Sequence, residues 1–228
     1  MRNNFTLTFA KNYRNYLVIW GILYFSFLAL GIFWPDSTLV AILRLSSIFL
    51  CLIYVFLNFR FDLWLNLALA FTLLADIFLA LNHVSVIGVL VFCFAQFCHF
   101  MRLKKPPLTL CIGFYLGLII IFATSLIFRF EPLYLLAAAY GVLITCNLIF
   151  SKKLYQKKRN TASKNAFFGF SLFLCCDIIV AISFLSGIGI LAAFIQPIAN
   201  YFSWVFYLPS QVLIANSSIA KRNKSVLE

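Results

Sequence analysis

Two carboxylates stand inside runs that are otherwise apolar. Asp76 lies in Leu73-Leu74-Ala75-Asp76-Ile77-Phe78-Leu79, and Asp177 in Phe173-Leu174-Cys175-Cys176-Asp177-Ile178-Ile179, about a hundred residues later. The 228 residues include only six acids, so two here is a large share. An ionisable group at the centre of a lipid-spanning helix costs about 2.5–3.5 kcal/mol on insertion scales, and such residues are retained for a purpose. The chemistry a carboxyl offers there is proton transfer.

Helical periodicity gives each acid a set of polar neighbours. Thr72, Asp76 and His83 share one face, at steps of four and seven. Cys93, Gln96 and His99 share another, at steps of three. Asp177 is nearly alone, with Ser183 one and a half turns away. Asn200, Tyr207, Gln211 and Ser218 form a last polar face, which Pro209 is expected to kink. Charged and amide side chains avoid lipid, so these faces should converge inside a bundle.

Plainer roles compete. Gln96 and Gln211 also read as interhelical glue, and Tyr207 as packing with a satisfied hydroxyl. His99 reads as an interfacial residue and His83 as a solvated turn. Arg44, within a span, reads either as a side chain snorkelling to the interface or as a partner for an acid.

Composition sets the class. Hydrophobic residues make up 64% and charged residues 11%, with a mean hydropathy of +1.02. A soluble domain has roughly 45–50% apolar and 25% charged residues. The expected fold is therefore an all-α, polytopic transmembrane helix bundle forming a single domain over residues 1–228. The net charge of +12 belongs to short loops, where it sets orientation and meets anionic head groups rather than nucleic acid. The seven cysteines all fall in apolar segments. They read as small hydrophobes, with neither a disulfide framework nor a metal site expected.

Spans of about 20 residues are expected at 15–34, 37–57, 63–81, 84–103, 108–128, 133–150, 166–185 and 198–218. A polar loop is expected at 151–165 and a short outer segment at 187–197. No charge occurs in 178–220, so a single long tilted helix is the alternative there. Sixteen of the eighteen basic residues then fall on one side. That asymmetry supports eight spans with both termini cytoplasmic. Residues 15–103 and 108–218 would be parallel repeats, with Asp76 answering Asp177 and Gln96 answering Gln211. Abundant Phe, Ile, Lys and Asn point to an AT-rich, bacterial source, hence to an integral multi-pass protein of a bacterial cell membrane.

Four stretches in order resemble the YhhN family. They are Leu73-Leu74-Ala75-Asp76, Phe92-x-x-x-Gln96, Cys176-Asp177 and Tyr207-x-x-x-Gln211-Val-Leu-Ile-Ala. The family comprises eight-helix membrane proteins whose animal members are lysoplasmalogenases. The chain departs from the family at Ala75, where Gly is frequent, at Cys176, where Ser is frequent, and at Gln96, where His is common. His99 follows three residues on.

The resemblance implies hydrolysis of the vinyl-ether bond of a lysoplasmalogen to a fatty aldehyde and a glycerophospho-amine. A vinyl ether is cleaved by protonating its β-carbon, which creates an oxocarbenium ion that water captures. The donor must carry its proton near neutral pH, a condition an apolar cavity favours. A second carboxylate would stabilise the cation or deprotonate the water, by analogy with glycosidase carboxyls. Asp76 and Asp177 are the expected catalytic pair. Thr72, Gln96, His99, Tyr207 and Gln211 are the expected substrate-binding residues. No cofactor or metal is expected, and the partner is a single-chain ether phospholipid of the membrane. The alternative is a non-enzymatic, proton-coupled carrier of a small molecule or lipid.

Overall fold

The computed structural model describes residues 2–35, 37–59, 61–82, 86–104, 132–185 and 190–218, with scattered positions between 112 and 127. Every element among them is an α-helix: α1 (Arg2–Phe33), α2 (Thr38–Asn58), α3 (Leu63–Asn82), α4 (Val86–Lys104), α5 (Pro132–Lys158), α6 (Thr161–Leu185) and α7 (Ile190–Ala215). Six of these are long and apolar enough to cross a bilayer. The chain is an integral, multi-pass membrane protein. The expected fifth span lies between α4 and α5, where the few described residues are helical and the rest, with His83, lie outside the described residues.

The helix ends follow local chemistry. The Ser37 hydroxyl accepts from Val40 N at 3.3 Å and caps α2. Asp62 caps α3 through Leu65 N at 3.4 Å, and the Asn66 amide ties down the carbonyls of Phe59 and Asp62.

The polar loop expected at 151–165 is mostly helix. α5 continues to Lys158, and α6 begins at Thr161. Lys-rich sequence is good helix former, and hydropathy marks where lipid ends rather than where the helix ends. Only Arg159 and Asn160 turn the chain. Arg159 adopts a positive φ of 47°, the left-handed geometry that closes a helix C-terminus. Asn160 then accepts from Ser163 N at 2.9 Å and donates its own N–H to Ser163 Oγ at 3.3 Å, a reciprocal cap.

Of the outer segment expected at 187–197, residues 190–197 belong to the last helix, in line with the single-helix alternative. Residues 190–215 form one helix that runs through Pro197 and Pro209. A proline lacks the N–H that would bond the carbonyl four residues back, and in an apolar bundle that carbonyl needs another donor. For Pro209 that carbonyl is Val205, and the Tyr24 hydroxyl of α1 donates to it at 3.1 Å. Tyr201 returns the tie, donating to Leu28 O at 3.0 Å.

Sequential helices pack as neighbours from α1 to α4 and from α4 through α5 and α6 to α7, and α7 closes the ring against α2 and α1. Arg44 of α2 lays its guanidinium 5.2 Å over Phe27 and 4.8 Å over Trp204, so two aromatic faces help hold a cation inside the bundle. α6 and α7 approach closely at Gly169. A Cβ on Gly169 would lie 2.8 Å from Ile214 Cγ1 and 3.2 Å from both Ile214 N and Ser210 O. Small residues of this kind let membrane helices approach closely. Gly169→Ala should therefore force α6 and α7 apart and lower stability by about 1–3 kcal/mol. Thermal unfolding of the detergent-solubilised protein would read this, and an unchanged midpoint would refute the tight contact.

Candidate functional site

Asp76 is buried at 4% exposure, and its Oδ2 accepts from the Tyr207 hydroxyl at 2.7 Å. That bond joins α3 to α7 across 131 residues. Asp177 makes the same kind of bond, its Oδ2 accepting from the Tyr140 hydroxyl of α5 at 2.8 Å. Asp177 is less enclosed and keeps part of its surface exposed.

The two carboxyl–tyrosine pairs face one another across a set of rings. Phe92 of α4 stands edge-on to Tyr140, Phe173 and Tyr207, with centroids 5.9, 6.3 and 6.4 Å away. Phe173 and Trp204 each lie 5.2 Å from Tyr207. Cys176 interacts electrostatically with both Asp76 and Asp177, and the two tyrosine hydroxyls are within such reach of each other. Both carboxyl–tyrosine pairs thus border one cluster of packed aromatic rings.

One helical turn toward the basic end of the bundle lies a layer of amides and hydroxyls. Thr72 is four residues from Asp76, Gln96 four from Phe92, and Gln211 four from Tyr207. Because α3 runs opposite to α4 and α7, all three steps lead the same way. All three side chains are fully buried. Thr72 Oγ1, Gln96 Nε2 and Gln211 Oε1 have no hydrogen-bond partner, although Gln211 Nε2 reaches Ser210 Oγ at 3.4 Å. Buried polar atoms normally find partners, so these three stand out in an apolar bundle.

His99 follows on α4. It is fully buried against the edge of Phe170 at 5.1 Å, with both ring nitrogens unpartnered. His99 thus lies inside the bundle, covered by Phe170 of α6.

The structure buries Thr72, Asp76, Gln96, His99, Tyr207 and Gln211 inside the bundle and leaves Asp177 partly exposed. Among the described contacts, only Asp76 and Tyr207 of these are joined by a hydrogen bond. It also supplies two residues that the sequence reading passed over. Tyr140 holds Asp177, and Asn147 donates to both Gln96 O and Gln96 Oε1 at 2.9 Å. They are seven residues apart on one face of α5. A buried amide two turns from a tyrosine in an apolar span was the available signal.

The YhhN family model matches residues 39–218, a range containing every one of these residues. The chain belongs to the YhhN family. No curated protein and no solved structure matches it. Within the family match, Asp76, Gln96, Asp177, Tyr207 and Gln211 all lie inside the bundle, and Arg2–Phe33 precedes it.

Proposed function

We propose that this protein is a membrane-embedded hydrolase that cleaves the vinyl-ether bond of a lysoplasmalogen, releasing a fatty aldehyde and a glycerophospho-amine. The observation that carries the reading is the pairing of two intramembrane carboxyls, each held by a tyrosine, at one cluster of packed aromatic rings. Family membership supports it, because the sequence resembles a group whose animal members carry this activity.

In this reading each tyrosine engages one carboxyl oxygen and fixes the side chain's orientation, leaving the other to exchange a proton. One carboxyl protonates the β-carbon of the vinyl ether. Electron density from the ether oxygen fills the gap, giving an oxocarbenium ion beside it. The aromatic faces and the second carboxylate stabilise that cation. Water, held by the orphan atoms of Thr72, Gln96 and Gln211, adds to the cation. The second carboxylate accepts the water's proton, and the resulting hemiacetal collapses to aldehyde and alcohol.

The Gln96 departure fits this division of labour. Gln96 is fixed by Asn147 and keeps its Nε2 unbonded, a donor for water or ether oxygen rather than a titrating group.

Access suits a lipid. A shallow apolar groove of about 330 Å³, lined by Ile179, Ile198, Ala199 and Phe202, opens between α6 and α7 on the side of the bundle. A single aliphatic chain could lie there with its tail in the bilayer.

The test is purified protein given lysoplasmalogen and an ester-linked lysolipid, with aldehyde and fatty acid both assayed. Aldehyde from the vinyl ether and no fatty acid from the ester is the expected outcome. Fatty acid from the ester would make the protein an esterase instead.

A further inference from the structure

Beyond His99 on α4 lies a cation. Arg102 of α4 is only 7% exposed. Its Nη2 donates to Ser217 Oγ at 2.9 Å, while Nε and Nη1 have no hydrogen-bond partner. Asp62 lies near enough to act as a counter-charge, but it leaves the Nε and Nη1 donors of Arg102 unbonded, and its own oxygens are engaged elsewhere. Its Oδ2 accepts from Ser218 at 2.9 Å, and its Oδ1 caps the N-terminus of α3. What remains is a buried planar fork with two donor nitrogens unspent, next to an imidazole with both nitrogens unspent.

We propose that Arg102, with His99, forms an anion subsite that holds the phosphate of a single-chain phospholipid while its ether group lies between Asp76 and Asp177. This inference rests on the hydrolase reading for its substrate. The guanidinium presents donors in the geometry phosphate oxygens prefer, and it stays charged at any physiological pH.

The spacing supports the same ligand. Arg102 is ten residues from Phe92, about 15 Å along the helix axis. The Arg102 guanidinium lies level with Ser217, its hydrogen-bond partner, and Asp76 leans down α3 toward Thr72. The remaining gap is filled by the amide layer, which offers partners to the hydroxyl and oxygens of a glycerol backbone. Carboxyls, amides and guanidinium then match, in order, the ether, glycerol and phosphate of one molecule.

Binding tests this without turnover. Purified protein in detergent is titrated calorimetrically with a saturated alkyl-ether lysophospholipid, with the corresponding alkylglycerol lacking phosphate, and with inorganic phosphate. Wild type should bind the phospholipid roughly ten- to a hundredfold more tightly than the alkylglycerol, the worth of one charge-assisted hydrogen bond or more. Arg102→Gln should erase that preference while leaving alkylglycerol affinity unchanged. Arg102→Lys, which keeps charge without the fork, should keep part of it and serves where the glutamine variant does not insert.

Equal wild-type affinity for the two lipids would overturn the proposal, as would parallel weakening of both by either variant. Inorganic phosphate binding as tightly as the phospholipid would assign the subsite to a soluble anion and overturn the lipid assignment. If the preference depends on Arg102 yet no aldehyde forms from lysoplasmalogen, the hydrolase reading fails and the subsite stands.

Discussion

Asp76→Asn and Asp177→Asn should each lower aldehyde release by about 10²–10⁴-fold, the usual contribution of a positioned acid or base. The amide is nearly isosteric with the acid, so it still accepts the tyrosine's hydrogen bond and the fold survives. What it loses is the proton. The double variant should be little worse than either single one, because the two groups serve a single sequence of proton transfers and act as a unit. Rates are compared at equal amounts of folded, detergent-soluble protein. Activity retained in either single variant would remove that aspartate from the mechanism.

Tyr207→Phe carries the next largest effect. The ring keeps its contacts with Phe92, Phe173 and Trp204, so packing changes little. The hydroxyl on Asp76 is lost in a place no solvent reaches. A hydrogen bond to a charged group is worth about 1.5–3 kcal/mol, which predicts a roughly ten- to hundredfold slower rate. Tyr140→Phe should cost less, because Asp177 is partly exposed and another donor can replace the hydroxyl. A double-mutant cycle between positions 76 and 207 separates this from a packing defect. Strong coupling is expected, and additive effects would show that the tyrosine acts elsewhere.

These effects depend on features of very different visibility in the sequence. Asp76 and Asp177 stand out because a carboxylate in an apolar run is costly, and cost is legible from composition alone. Gln96, His99, Tyr207 and Gln211 follow from helical spacing once the spans are drawn. The span centres are equally legible, since bilayer thickness fixes their length.

Helix ends are another matter. α5 runs on to Lys158 because Lys152 to Lys158 favour helix in water as well, and a hydropathy pattern is silent about that. The start of α7 is hidden because no charge divides 178–220, and because Tyr24 supplies the donor that makes Pro209 tolerable. That partner lies on another helix 181 residues away.

The pairing itself is least legible. Tyr140 and Tyr207 are two of ten tyrosines, and only tertiary packing chooses them as partners of the acids. Arg102 reads as one more positive charge at a loop until Ser217 and α7 close over it.

The most direct measurement compares two lipids that differ by one double bond: a lysoplasmalogen and its saturated alkyl-ether counterpart with the same head group. Only the vinyl ether has a β-carbon to protonate, while both fit the same site. Purified protein should release aldehyde from the first alone, with the second acting as a competitive inhibitor. Binding of both lipids with aldehyde from neither would contradict the account.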